Sequence, residues 1–182
     1  MSETADVIVV GAGVQGASLA FHLARRGTSV LVLERASVAA GATGRSSGFV
    51  RMHYDLESDA LLAWASFPYF RAWSDLVGAG DCGFVRTGFL QVMPEGLAPQ
   101  LRANVGMQQS IGITTRVVGP AEIADLVPGA VTDDIGVGAY ESESGYADPS
   151  GTADGRRECS GRSPEHAWPR NGGHQAETLR GR

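Results

Sequence analysis

The run Gly11-Ala12-Gly13-Val14-Gln15-Gly16 constrains this 182-residue chain more than any other feature. It follows Val7-Ile8-Val9-Val10, a short β-branched stretch of the kind buried on both faces of a parallel sheet. Beyond it, Ala17, Ala20, Phe21 and Leu23-Ala24 recur at helical spacing as far as Arg25-Arg26-Gly27, and Arg in the last turn with Gly just past it is a helix stop. Val30–Leu33 is a second apolar strand ending at Glu34. Strand, glycine-rich turn, helix and strand in this order make a βαβ unit, and the G-x-G-x-x-G spacing assigns each glycine a task. Gly11 turns the chain sharply out of the strand, Gly13 lets backbone approach a pyrophosphate, and Gly16 lets the helix lie close to the strand. The helix that follows, its small and apolar residues recurring from Gly16, then offers free N–H groups and a positive dipole end to phosphates.

Glu34, with Arg35 beside it, lies 23 residues beyond Gly11, where a carboxylate can accept hydrogen bonds from ribose hydroxyls. A 2′-phosphate would be repelled there, which disfavours NADP. FAD and NAD share this architecture, so the choice between them needs other residues.

The second motif is Gly41-Ala42-Thr43-Gly44-Arg45-Ser46-Ser47-Gly48, followed by Phe49-Val50-Arg51. Small residues and hydroxyls let a chain lie against phosphate and ribitol, and an Arg can fork onto a carboxylate. Composition alone reads the segment equally well as a flexible loop with a surface Arg. With the fingerprint before it, the segment resembles the D-amino-acid oxidase superfamily of flavoenzymes, most closely the sarcosine oxidase and dimethylglycine dehydrogenase branch. Members carry a fingerprint ending in Glu, then a G-A-[ST]-G-x-[SN]-x-G stretch along the FAD pyrophosphate, then an R-x-x-Y-like stretch matched here by Arg51-Met52-His53-Tyr54.

The resemblance implies FAD as cofactor, contacted by Gly11, Gly13, Val14, Gln15, Gly16, Glu34, Arg35 and Gly41 to Gly48. It implies oxidation of the C–N bond of a small amino acid or N-methyl amino acid by hydride transfer to flavin N5. Arg51 is the candidate grip for the substrate carboxylate; His53 and Tyr54 are weaker catalytic candidates. Two other readings stand beside it: an inactive nucleotide-binding fragment, and an NAD-dependent dehydrogenase or nucleotide-sensing module.

Further along, residues 56–77 read as a helix that Pro68 should kink or divide, with Trp64, Phe67, Phe70 and Trp73 as core. Phe84–Arg86 and Phe89–Met93 flank Thr87-Gly88 like a hairpin. A helix over 97–111, a strand over 114–118, a helix over 120–127 and a strand over 135–140 follow, with Glu141 and Glu143 expected in solvent. Gly145-Tyr146-Ala147-Asp148-Pro149 resembles the family's G-[YH]-x-D-P turn back into the nucleotide-binding domain. The fold expected is α/β: a Rossmann-like FAD-binding βαβ unit plus part of an α+β substrate domain, incomplete because family members are roughly twice this length. Residues 1–55 open the FAD-binding domain, 56–144 form the partial substrate domain, and 145–155 return to the first.

After Gly155 the character changes. Residues 1–155 hold nine Arg against 17 acidic residues, whereas 156–182 hold six against three, and Leu179 is the only aliphatic residue there larger than Ala. All 15 basic residues are Arg, the bias of GC-rich coding DNA. The tail is therefore expected to be non-homologous, without regular structure, and read in a shifted frame. The 182 residues alone are then expected to be inactive.

The net charge of −5 argues against nucleic-acid binding. Cys82, Cys159, His166 and His174 form no metal spacing, so no metal is expected. Neither a signal peptide nor a membrane span is read, and a soluble cytoplasmic protein acting on a small amine or amino acid is expected. Oligomeric state is not legible.

Overall fold

A computed structural model of the chain describes residues 4–159 and 175–179. These fall into two compact units: Met1–Gly48 with Tyr69–Phe84 and Ala147–Arg182, and Phe49–Pro68 with Val85–Tyr146. The boundary thus falls at Gly48 and Ala147. The stretch Tyr69–Phe84, expected in the substrate domain, belongs to the first unit.

In the first unit, β1 (Val7–Val10) and β2 (Val30–Glu34) run parallel, Val7 opposite Val30 and Val10 opposite Leu33. Between them α1 (Val14–Ala24) starts at Gly13, so the helix begins before the first small residue of its periodic run. Three faces of α1 are used. Ala20 packs with Val9, Val30 and Val32 of the sheet, and Ala17 with Ala39 and Ala153. Phe21 packs with Trp73, Val77 and Cys82. Alanine at the first two contacts lets backbones approach closely, and truncating Phe21, which is 2 % exposed, should cost about 3–5 kcal/mol.

The second unit holds a sheet ordered β4 (Phe89–Met93), β6 (Val137–Glu141) and β5 (Arg116–Val118), all pairs antiparallel. The helix α4 (Ala98–Ser110) covers one face with Ala98, Leu101 and Val105 against Val137 and Ala139. α5 (Pro120–Leu126) opens with Pro at its first turn. β3 (Phe49–Val50) pairs antiparallel with β7 (Gly145–Tyr146). The expected hairpin around Thr87-Gly88 does not form: Val85 bridges Tyr146, and Phe89–Met93 pairs with the distant β6.

α2 (Glu57–Arg71) continues through Pro68 and ends only at Ala72, whose non-helical dihedrals (φ −127°, ψ 48°) separate it from α3 (Trp73–Leu76). Phe67 and Trp73 are buried as expected, whereas Leu61 and Leu62 are 46 % and 69 % exposed.

The helix α6 (Pro149–Cys159) runs past Gly155, and β8 (Gln175–Leu179) pairs antiparallel with β2, Val30 opposite Leu179. Five residues of the tail therefore take a strand where none was expected: the free edge of β2 supplies unpaired backbone groups that any extended segment can satisfy. The remaining tail positions, His166 and His174 among them, lie outside the described residues.

Candidate functional site

The first unit brings the two sequence motifs onto one wall. The first intrahelical bond of α1 runs from Ala17 N–H to Gly13 O (2.9 Å), so the amides of Val14, Gln15 and Gly16 emerge at the helix end. Val14 N–H donates to Thr43 Oγ1 at 3.0 Å, and Ala39 N–H donates to Ala12 O at 3.1 Å. The loop of the second motif is thus tied to the fingerprint at two points. A Cβ on Gly13 would sit 3.0 Å from Thr43 Oγ1, so the glycine keeps backbone exposed beside that hydroxyl.

Gly16 is required by packing: its Cβ would fall 1.9 Å from Gly11 O and 3.3 Å from Val9 Cγ1. Gly11 has φ +102°, the turn out of β1.

Glu34 ends β2 and reaches back, accepting from Ala12 N–H through Oε2 and from Ala36 N–H through Oε1, both at 2.9 Å. The Ala12 and Ala36 bonds hold its carboxyl below the ordinary carboxylate range, with Arg35 beside it adding to the effect. Glu34 therefore braces the glycine turn.

Gly41 and Ala42 are exposed, and Thr43–Arg45 form a single 3-10 turn. Gly44 N–H donates to Ala39 O at 2.9 Å. Arg45, Ser46 and Ser47 are exposed. Gly48 has φ +68°, and its Cβ would fall 2.1 Å from Ala147 O. Asp148 of the G-[YH]-x-D-P turn caps α6: Ser150 N–H donates to its Oδ1 at 2.9 Å. The Asp-Pro step at a helix start carried that signal.

The second unit holds Arg51, His53 and Tyr54. The Arg51 guanidinium lies 4.9 Å from the Tyr54 ring centroid and 5.1 Å from that of Phe89. His53 is buried; neither ring nitrogen meets a partner in good hydrogen-bond geometry, and Gln108 is the polar side chain beside it. Burial pushes its pKa down, opposed mainly by the charge of Glu141. Glu141, expected in solvent, is fully buried. Its Oε2 accepts from Met52 N–H (3.0 Å) and Ser144 Oγ–H (2.7 Å). Glu143 meets Arg86 at 3.1 Å. Gln108, also fully buried, donates to Tyr54 O at 3.1 Å.

The profile of the DAO family, FAD-dependent oxidoreductases, matches residues 6–159. The chain belongs to this family. FAD is the cofactor of its members, and the geometry just described fits such a group: a helix N-terminus at the glycine turn, glycines that keep Cβ atoms away, and a Glu34 carboxyl held below the ordinary carboxylate range.

The chain is 28 % identical over 159 residues to the bovine (Bos taurus) FAD-dependent oxidoreductase domain-containing protein 1, covering 81 % of this chain and 33 % of that one. It is 29 % identical over 160 residues to mouse (Mus musculus) mitochondrial sarcosine dehydrogenase, covering 84 % of this chain and 17 % of that one. The crystal structure of L-proline dehydrogenase from P. horikoshii superposes with a TM-score of 0.79 at 23 % identity, over 87 % of this chain and 42 % of that one. The fold is therefore the α/β flavoenzyme architecture, present in part. Among the described residues, no helix is long and apolar enough to cross a membrane, and no three His, Cys, Asp or Glu are grouped to hold a metal.

Proposed function

We propose that this chain is the FAD-binding part of an oxidoreductase that oxidises the C–N bond of a small amino acid or N-methyl amino acid. The observation that carries the proposal is the joining of the two motifs, Thr43 Oγ1 on Val14 N–H and Ala39 N–H on Ala12 O. The Gly41–Arg51 segment, tied to the fingerprint, is the feature that speaks against an NAD site. The cofactor when bound supplies a hydride acceptor at flavin N5. The chain's residues present backbone donors to the pyrophosphate, hold Glu34 toward a ribose, and, through Arg51, take the substrate carboxylate. The likeness to sarcosine dehydrogenase supports the substrate class.

Since the chain spans 33 % and 17 % of the two relatives, turnover is proposed for the full-length architecture, with the 182 residues binding nucleotide without completing catalysis. We attribute the change of charge sign and composition after Gly155 to a shifted reading frame. The coding DNA around codon 155 tests that: a family-like continuation in another frame supports it, and none, with a cooperatively melting 182-residue chain, overturns it.

Titration of the chain with FAD and with NAD, followed by flavin fluorescence and calorimetry, tests the cofactor. FAD should bind, and Gly13→Val should abolish binding while the sheet signature in circular dichroism persists. NAD binding without flavin binding would overturn the proposal.

A further inference from the structure

We infer that Glu141 is a positioning residue that fixes the Arg51–Tyr54 segment, so that the Arg51 guanidinium waits between Tyr54 and Phe89 for a carboxylate; this rests on the proposed role of Arg51. A fully buried carboxylate is expensive, and an apolar side chain of similar volume usually packs as well or better. Glu141 is held by bonds that an apolar side chain could not make. Its Oε2 takes Met52 N–H, from a residue 89 positions earlier that is itself 1 % exposed, and Ser144 Oγ–H. The peptide it grips is the one joining Arg51 to Met52. Two residues on, Gln108 grips Tyr54 O, and Asn104 Nδ2 donates to Asp55 Oδ1 at 2.7 Å.

Glu141 is also the cross-strand partner of Phe89 in the β4–β6 ladder. One register therefore places both the carboxylate that holds the Arg51 peptide and the ring on which the Arg51 guanidinium rests. A guanidinium stacked by its flat face keeps its N–H edge for a bidentate anion. Its direction then depends on the backbone carrying it, and Glu141 sets that backbone.

The test uses the 182-residue chain with FAD added, carrying Glu141→Leu or Glu141→Gln. Met52 amide exchange, the Arg51 Nε–H resonance and the response of that resonance to acetate are followed by NMR. Glu141→Leu should stay folded, yet exchange Met52 about tenfold faster, shift the Arg51 resonance and weaken acetate binding about tenfold. Glu141→Gln, which keeps an acceptor oxygen, should restore all three. Wild-type behaviour of Glu141→Leu would overturn the inference, as would failure of Glu141→Gln to rescue. Should Glu141→Leu fail to fold, Ser144→Ala takes its place, because losing one donor must loosen the carboxylate; an unchanged Arg51 resonance there overturns the inference too. If Met52 and Arg51 respond as expected but wild type ignores acetate, the carboxylate-binding role of Arg51 falls while the positioning stands.

Discussion

The two units hold polar groups in fixed positions with different materials. The first uses backbone. Its polar groups are main-chain amides around the glycine turn, those of Ala12 and Val14 held by Glu34 and Thr43. The second uses side chains. His53, Gln108, Thr115, Glu141 and Ser144 are all buried there, whereas among the described residues of the first unit the buried polar side chain is Thr152. Backbone donors follow from local sequence, since a turn and a helix start fix them. Buried side chains depend on partners far along the chain. The difference predicts that the first unit is most sensitive to added volume where a glycine packs on main chain, and the second to lost hydrogen bonds that position its side chains.

The largest effect should come from Gly16→Val. Its Cβ would meet a backbone carbonyl at 1.9 Å, an atom that cannot rotate away. Overpacking a core commonly costs about 1–3 kcal/mol, and a clash with main chain exceeds that. The first unit should lose cooperative unfolding by circular dichroism, while Gly41→Ala, whose Cβ meets nothing within 4 Å, should be nearly silent. Equal tolerance at both positions would break the comparison from the side of the first unit.

Next in size is Arg51. With the carboxylate role proposed above, Arg51→Ala should weaken binding of a carboxylate-bearing amine by about 2–5 kcal/mol. Arg51→Lys should recover little, because an ammonium neither stacks on Tyr54 and Phe89 as a plane nor forks. FAD affinity should stay unchanged in both, since its donors are in the other motif. Isothermal titration of each variant with FAD and with the amine separates the two, and a parallel loss of FAD would join what the comparison divides.

The same contrast explains what could be read in advance. The βαβ unit was legible because each glycine has a local cause, and even Thr43 was flagged by its motif, though its bond to Val14 N–H was not. Glu141 was missed for a subtler reason. It is in phase with Val137 and Ala139, and a strand drawn one residue longer puts it on the buried face. The hairpin around Thr87-Gly88 failed because β4 pairs with β6, a partnership with no short-range signal. Pro68 was overread: the helix runs through it and breaks only at Ala72.

The smallest expected effect is an acid response in two steps, one for each unit. His53 has its pKa lowered from 6.5 by burial, so the unfolded chain binds a proton more readily than the folded one. Stability from this group should therefore decline as pH falls below about 6.5 and go on declining until the lowered folded value is passed. Glu141 and Asp55 limit the shift by favouring the charged ring, and Arg51 deepens it. Glu34 has its pKa lowered from 4.5 by the Ala12 and Ala36 amides, so its contribution is complete above 4.5 and lost as pH falls through the folded value. The second unit should loosen first on acidification and the first unit later. Hydrogen exchange read by mass spectrometry on peptides spanning Met52–Tyr54 and Ala12–Val14 follows both steps in one titration. His53→Gln should remove the earlier step and leave the later one. A single transition shared by both peptides would show that the units do not respond to acid separately, and the distinction between backbone and side-chain construction would then carry no consequence for stability.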